Sequence, residues 1–74
     1  MNNDNLIRMV NSIGAFFVAM PDREEALRDI AQHVRRFWAP RMREQLFAHL
    51  DARNGEGIDA LVVTALRQHR ALFG

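Results

Sequence analysis

Nine consecutive positions, Arg35-Arg36-Phe37-Trp38-Ala39-Pro40-Arg41-Met42-Arg43, hold four guanidiniums, the chain's one tryptophan and one of its two prolines. A guanidinium is a rigid fork of donors that meets a carboxylate or a phosphate through paired bonds, and tryptophan adds a large apolar face with one donor. Both residue types are enriched at binding hot spots. The chemistry expected of this run is recognition of an anionic partner surface, with Arg35, Arg36, Trp38, Arg41 and Arg43 as the contacting residues. Crowded like charges cost stability unless anions answer them, which points the same way. On a helix Phe37 and Trp38 stand about 100° apart, so both can hardly point into one thin core. Phe37 is assigned to the core and Trp38 to the partner surface.

The residues that serve in catalysis elsewhere lack their usual settings here. His33, His49 and His69 are 16 and 20 positions apart, so no two stand one turn apart as a metal pair on a single helix requires. His69 falls on an apolar stripe, where a hydrogen-bonded boundary histidine is expected. Ser12 is the only serine and sits mid-helix beside Gly14, outside any nucleophile context. Gly55-Glu56-Gly57 is too short for a phosphate loop and reads as a turn. With no cysteine there is no thiol nucleophile, no zinc ribbon and no thiolate ligand for an iron-sulfur cluster. No catalytic, cofactor-binding or metal-binding residue is assigned.

The scaffold for the arginine run is helical. Leu6, Met9, Val10, Ile13, Phe16, Phe17 and Met20 recur at spacings of three and four, predicting an amphipathic helix from Asp4 or Asn5 that Pro21 stops. Asp22 with Glu25 three residues on reads as a capping box, and Glu24 to Arg28 as a pair one turn apart. A second helix carries Ala26, Leu27, Ile30, Val34, Phe37 and Trp38, and should form an antiparallel hairpin with the first. Pro40 ends or kinks it and opens a third helix with Met42, Leu46, Phe47 and Leu50. Residues 51–57 read as a loop, and Asp59 as the cap of a fourth helix running through Leu61, Val62, Ala65, Leu66 and Phe73. With no strand alternation, the class is all-α, a small four-helix bundle in one domain, 1–74.

Charge and length bound the partners. A 74-residue chain buries only about 60% of the surface its unfolded form exposes, so its core is thin and a partner's surface is a natural supplement. The pI of 9.1 accompanies a formal charge of only +1 because Lys, Tyr and Cys are all absent, leaving only the terminal amine to titrate between histidine and arginine. High pI is therefore no sign of nucleic-acid binding. No apolar run nears the roughly 20 residues that span a bilayer, and Met1-Asn2-Asn3-Asp4 lacks the pattern of an export signal. The expected setting is cytoplasmic.

Over almost its whole length the chain resembles the delta subunit of the cytoplasmic, molybdenum-containing NAD-dependent formate dehydrogenases. The resemblance rests on Leu6-Ile7-Arg8-Met9-Val10-Asn11 with Ile13 and Phe16-Phe17, on His33, Arg36-Phe37-Trp38 and Pro40-Arg41-Met42-Arg43, and on Asp59-Ala60-Leu61-Val62. Phe-Trp-x-Pro-Arg-Met-Arg is its most specific part. Ala39 stands where relatives often carry an acidic residue, and Ala60 where they often carry proline; both departures weaken local helix starts.

The resemblance implies a non-catalytic accessory subunit that aids assembly, cofactor maturation or stability of the enzyme complex. Bis-molybdopterin guanine dinucleotide, the iron-sulfur clusters, FMN and NAD would all lie on the large subunits that this chain binds. On the residues alone two other readings stay open. One is a small helix-turn-helix nucleic-acid-binding protein, opposed by acidic residues on every helix and the low net charge. The other is an independent helical homo-oligomer that buries Trp38 against a second copy.

Overall fold

A computed structural model, describing residues 2–73, resolves the chain into four helices, α1 Asn3–Phe17, α2 Arg23–Phe37, α3 Pro40–Arg53 and α4 Ala60–Gln68, followed by a 3-10 turn, Arg70–Phe73. No strand occurs among the described residues. The all-α bundle expected from the periodicity is the observed architecture. α2 lies at its centre, packing on α4, α1 and the 3-10 turn, while α1 also meets α3 and α4. No helix is long and apolar enough to cross a membrane among the described residues.

Each helix start has a local cause. Asn2 caps α1, its Oδ1 accepting from Asp4 N at 2.6 Å. Asp22 caps α2 as expected, accepting from Glu25 N at 3.2 Å. Glu24 does not pair with Arg28; its carboxylate accepts from Gln68 Nε2 at 2.7 Å and ties α2 to α4. α3 has no side-chain cap at Ala39 and relies on Pro40, whose ring presets the first helical φ and leaves one fewer amide to satisfy. Asp59 also makes no side-chain cap bond for α4. Asn11 of α1 instead holds the cap residue's own backbone, its Oδ1 accepting from Asp59 N at 2.8 Å while its Nδ2 donates to Gly57 O at 3.0 Å.

The ends differ from the sequence reading in two places. α3 runs on to Arg53 and stops through left-handed backbone at Asn54 and Gly55, with Gly57 also at positive φ. α4 does not reach the C-terminus. His69 leaves helical geometry, and the chain closes in the 3-10 turn, whose Phe73 ring meets Phe47 at 4.8 Å.

The core draws on every helix: Leu6 and Val10 from α1, Leu27, Ile30 and Val34 from α2, Leu46, Phe47 and Leu50 from α3, and Val62, Ala65 and Leu66 from α4. Ile58, in the loop before α4, and Trp38, between α2 and α3, complete it. Of the α1 stripe read from spacing, Leu6 and Val10 are buried and Ile13 and Phe17 half-buried, while Met9 and Phe16 face outward.

Candidate functional site

The arginine run occupies the last turn of α2, a two-residue break and the first turn of α3. Helix α2 ends at Phe37, and Trp38 (φ −87°, ψ 138°) and Ala39 (φ −63°, ψ 149°) are extended. Residues before proline avoid helical geometry, and successive extended residues point to opposite sides. Trp38, whose N–H still bonds to Val34 O, stands one turn beyond buried Val34 on the inward face and is 6% exposed, while Phe37, one turn beyond half-buried His33, is 69% exposed. The assignment made from the sequence is reversed. The 100° separation stands, but the buried face of α2 runs through Leu27, Ala31 and Val34 at spacings of four and three, and it continues to Trp38 rather than to Phe37.

The arginines divide into two pairs. Arg35 donates through Nε to the Leu72 carbonyl at 2.7 Å and so holds the closing 3-10 turn against α2. Arg43, half-buried, donates to the Arg35 carbonyl at 3.3 Å, covering one of the acceptors left open where α2 ends. The side chains of Arg36 and Arg41 are exposed and make no hydrogen bond or ion pair among the described residues. The Arg36 guanidinium lies 5.9 Å from the centre of the Phe37 ring. None of the four is ion-paired among the described residues; Arg35 and Arg43 bind carbonyls, which orient a guanidinium without cancelling its charge.

Phe37 continues into an aromatic strip that the sequence reading did not assemble. Its ring meets His33 at 4.7 Å, His33 meets Phe17 at 6.1 Å, and Phe17 meets Phe16 edge-on at 5.0 Å. Phe16 is 77% exposed and Val18 63%. Ser12, Ile13, Phe16, Phe17 and His33 line a groove of about 300 Å³ between α1 and α2. One signal for this strip was present: Phe16 and Phe17 are adjacent on a helix and cannot share one inward direction.

The remaining histidines serve local structure. His49 Nε2 lies 2.7 Å from the Glu56 carbonyl, which can only accept, so this nitrogen carries the proton. His69 caps the end of α4 through its backbone N–H to Ala65 O, but its ring, at the boundary of the core, buries Nε2 without a hydrogen-bond partner among the described residues, so the hydrogen-bonded histidine expected from the sequence is not observed. Ser12 bonds back to the Arg8 carbonyl at 3.0 Å within its own helix. No grouping of three or more His, Asp or Glu side chains is placed to hold a metal among the described residues. Without cysteine, and with the histidines so dispersed, these residues do not fit a cluster or a molybdenum centre.

Fold and surface define the class: a small all-α bundle whose distinguishing features are an exposed aromatic strip beside a run of arginines and a two-residue break between helices. The chain belongs to the NADH-dependant formate dehydrogenase delta subunit FdsD family, whose model matches residues 5–66. That span contains every motif on which the resemblance rested. Comparison with curated proteins and with solved structures found no match. Family membership implies an NAD-linked formate dehydrogenase complex in which a delta subunit associates with other subunits.

Proposed function

We propose that this chain is a non-catalytic accessory subunit that acts in the cytoplasm, binding the large subunits of formate dehydrogenase and aiding their assembly, cofactor maturation or stability. Bis-molybdopterin guanine dinucleotide, iron-sulfur clusters, FMN and NAD then belong to the large subunits. The observation that supports this reading is the end of α2, where exposed Phe37 lies beside Arg36 in a cluster of four arginines without ion pairs among the described residues. Unneutralised charge next to exposed aromatic area is stabilised by a partner that covers the ring and supplies carboxylates.

Within the set Arg35, Arg36, Trp38, Arg41 and Arg43, the roles separate. Arg36 and Arg41 contact the partner directly. Trp38, buried, fixes where the helices part, and Arg35 and Arg43 shape the platform through their carbonyl bonds. The test is co-expression of the tagged chain with the large subunits, followed by quantification of what co-purifies. Arg36→Glu with Arg41→Glu should lower recovery of the large subunits while far-ultraviolet circular dichroism stays unchanged. Unchanged recovery would remove both residues from the interface, and recovery of the unsubstituted chain alone would overturn the reading.

A further inference from the structure

We propose that the aromatic strip Phe16–Phe17–His33–Phe37 is the seat of an amphipathic helix from a protein partner, with carboxylates on that helix facing the arginine end of the strip. The inference deepens the accessory-subunit reading and rests on it for the partner's origin, a large subunit of the enzyme.

The case starts from area that folding leaves uncovered. Phe16, Val18 and Phe37 are each more than 60% exposed, and the four rings are linked in one chain of contacts of 4.7–6.1 Å. They form one strip across two helices, bordered by the groove at Ile13 and His33. Contiguous apolar surface of this kind on a small chain marks a place where another surface sits.

The shape of the strip selects the occupant. Both flanking elements are α-helices whose backbone groups are bonded internally, so no strand edge is available for an extended segment to pair with. A partner segment lying here must satisfy its own backbone, which a helix does. Anchors at i, i+3 or i+4, and i+7 on a helix recur at about 5–6 Å, matching the spacing of the rings.

Charge selects its chemistry and direction. From Arg35 to Glu44 there are four arginines and one carboxylate, and none of the four is ion-paired among the described residues. Two arginines elsewhere, Arg53 and Arg70, do have carboxylate partners, Glu56 and Asp51. The start of α2, with Asp22, Glu24 and Glu25 against Arg23, is net negative. A docked helix is therefore acidic at its Phe37 end, where Arg36 borders the ring.

The experiment uses the full chain co-expressed with the formate dehydrogenase large subunits. Phe16→Ser with Phe37→Ser should weaken association at least tenfold with helical content unchanged, whereas Arg67→Glu, an exposed arginine of α4 outside the strip, should leave it intact. Benzoylphenylalanine at position 37 should photo-crosslink to a helix of a large subunit bearing apolar residues and carboxylates. If the unsubstituted chain binds the enzyme and the serine variant binds equally well, the strip is not the seat and only this inference fails. Crosslinks confined to a second copy of this chain, or to a basic or extended segment, overturn it likewise. Failure of the unsubstituted chain to bind overturns both readings.

Discussion

A Cβ placed on Gly14 would lie 2.5 Å from Cγ2 of Val62, so α1 and α4 approach more closely at this point than any other residue allows. Val62 is β-branched and fully buried, so its methyl has little room to turn away. Overpacking costs about 1–3 kcal/mol, against about 1 kcal/mol that alanine returns in helix propensity. Gly14→Ala should lower the urea midpoint. In a double-mutant cycle with Val62→Ala, the loss should be smaller than the sum of the single losses; strict additivity would show that the helices are not in contact there.

Asn11 holds the loop before α4 with two bonds, to Gly57 O and from Asp59 N. Net contributions of about 0.5–1.5 kcal/mol per hydrogen bond put Asn11→Ala at about 1–3 kcal/mol of lost stability. Amide exchange at Asp59 should accelerate by more than global unfolding accounts for, because α4 has no side-chain cap of its own. Unaltered exchange at that amide would refute the clamp.

Phe37 and Trp38 should behave in opposite ways despite being neighbours. Trp38→Ala empties a core position and should cost about 3–5 kcal/mol. Phe37→Ser removes an exposed ring and should change stability by about 0.5 kcal/mol or less. The chain has one tryptophan, so its fluorescence reports the core directly and should shift to longer wavelength on unfolding. A long-wavelength maximum in the native chain would contradict the inward placement.

Asp51 and Arg70 form a two-bond pair at 2.6 and 2.8 Å, with the Arg70 guanidinium also 4.7 Å from the Phe47 ring centre. The hydrogen bonds from Arg70 hold the Asp51 carboxyl below its ordinary 3.8, reinforced by the charges of Arg70 and Arg67; the same bond raises Arg70. A carboxylate with a depressed folded pKa stabilises the folded chain fully above its unfolded value, and that contribution is lost as pH falls through the folded one. The wild-type melting temperature should therefore drop more steeply than that of Asp51→Asn as pH is lowered below 3.8. Parallel curves in that range would mean the pair contributes nothing to folding.

The sequence by itself determined the helical class and much of the core. Spacings of three and four place Leu6, Val10, Ile30, Val34, Leu46, Leu50, Val62 and Leu66 inward, and all eight are buried. Pro21, Asp22 and Pro40 act on their immediate neighbours, which is why the α2 and α3 starts were legible. The family motifs were legible too, since they consist of residue identities at fixed spacing.

What a side chain meets across the bundle was decided only in three dimensions. Asn11 reaches 48 positions along the chain to Asp59, and Glu24 bonds with Gln68 rather than Arg28, because a long-range partner can outcompete the local one that spacing suggests. The reversal of Phe37 and Trp38 has the same origin. Only one of two neighbours 100° apart can face a thin core, and the packing of α2 put that face through Val34 and Trp38, leaving the phenyl ring outside. The strip from Phe16 to Phe37 exists only because α1 and α2 are packed together, since a sequence sets the period within a helix but not the contacts between helices.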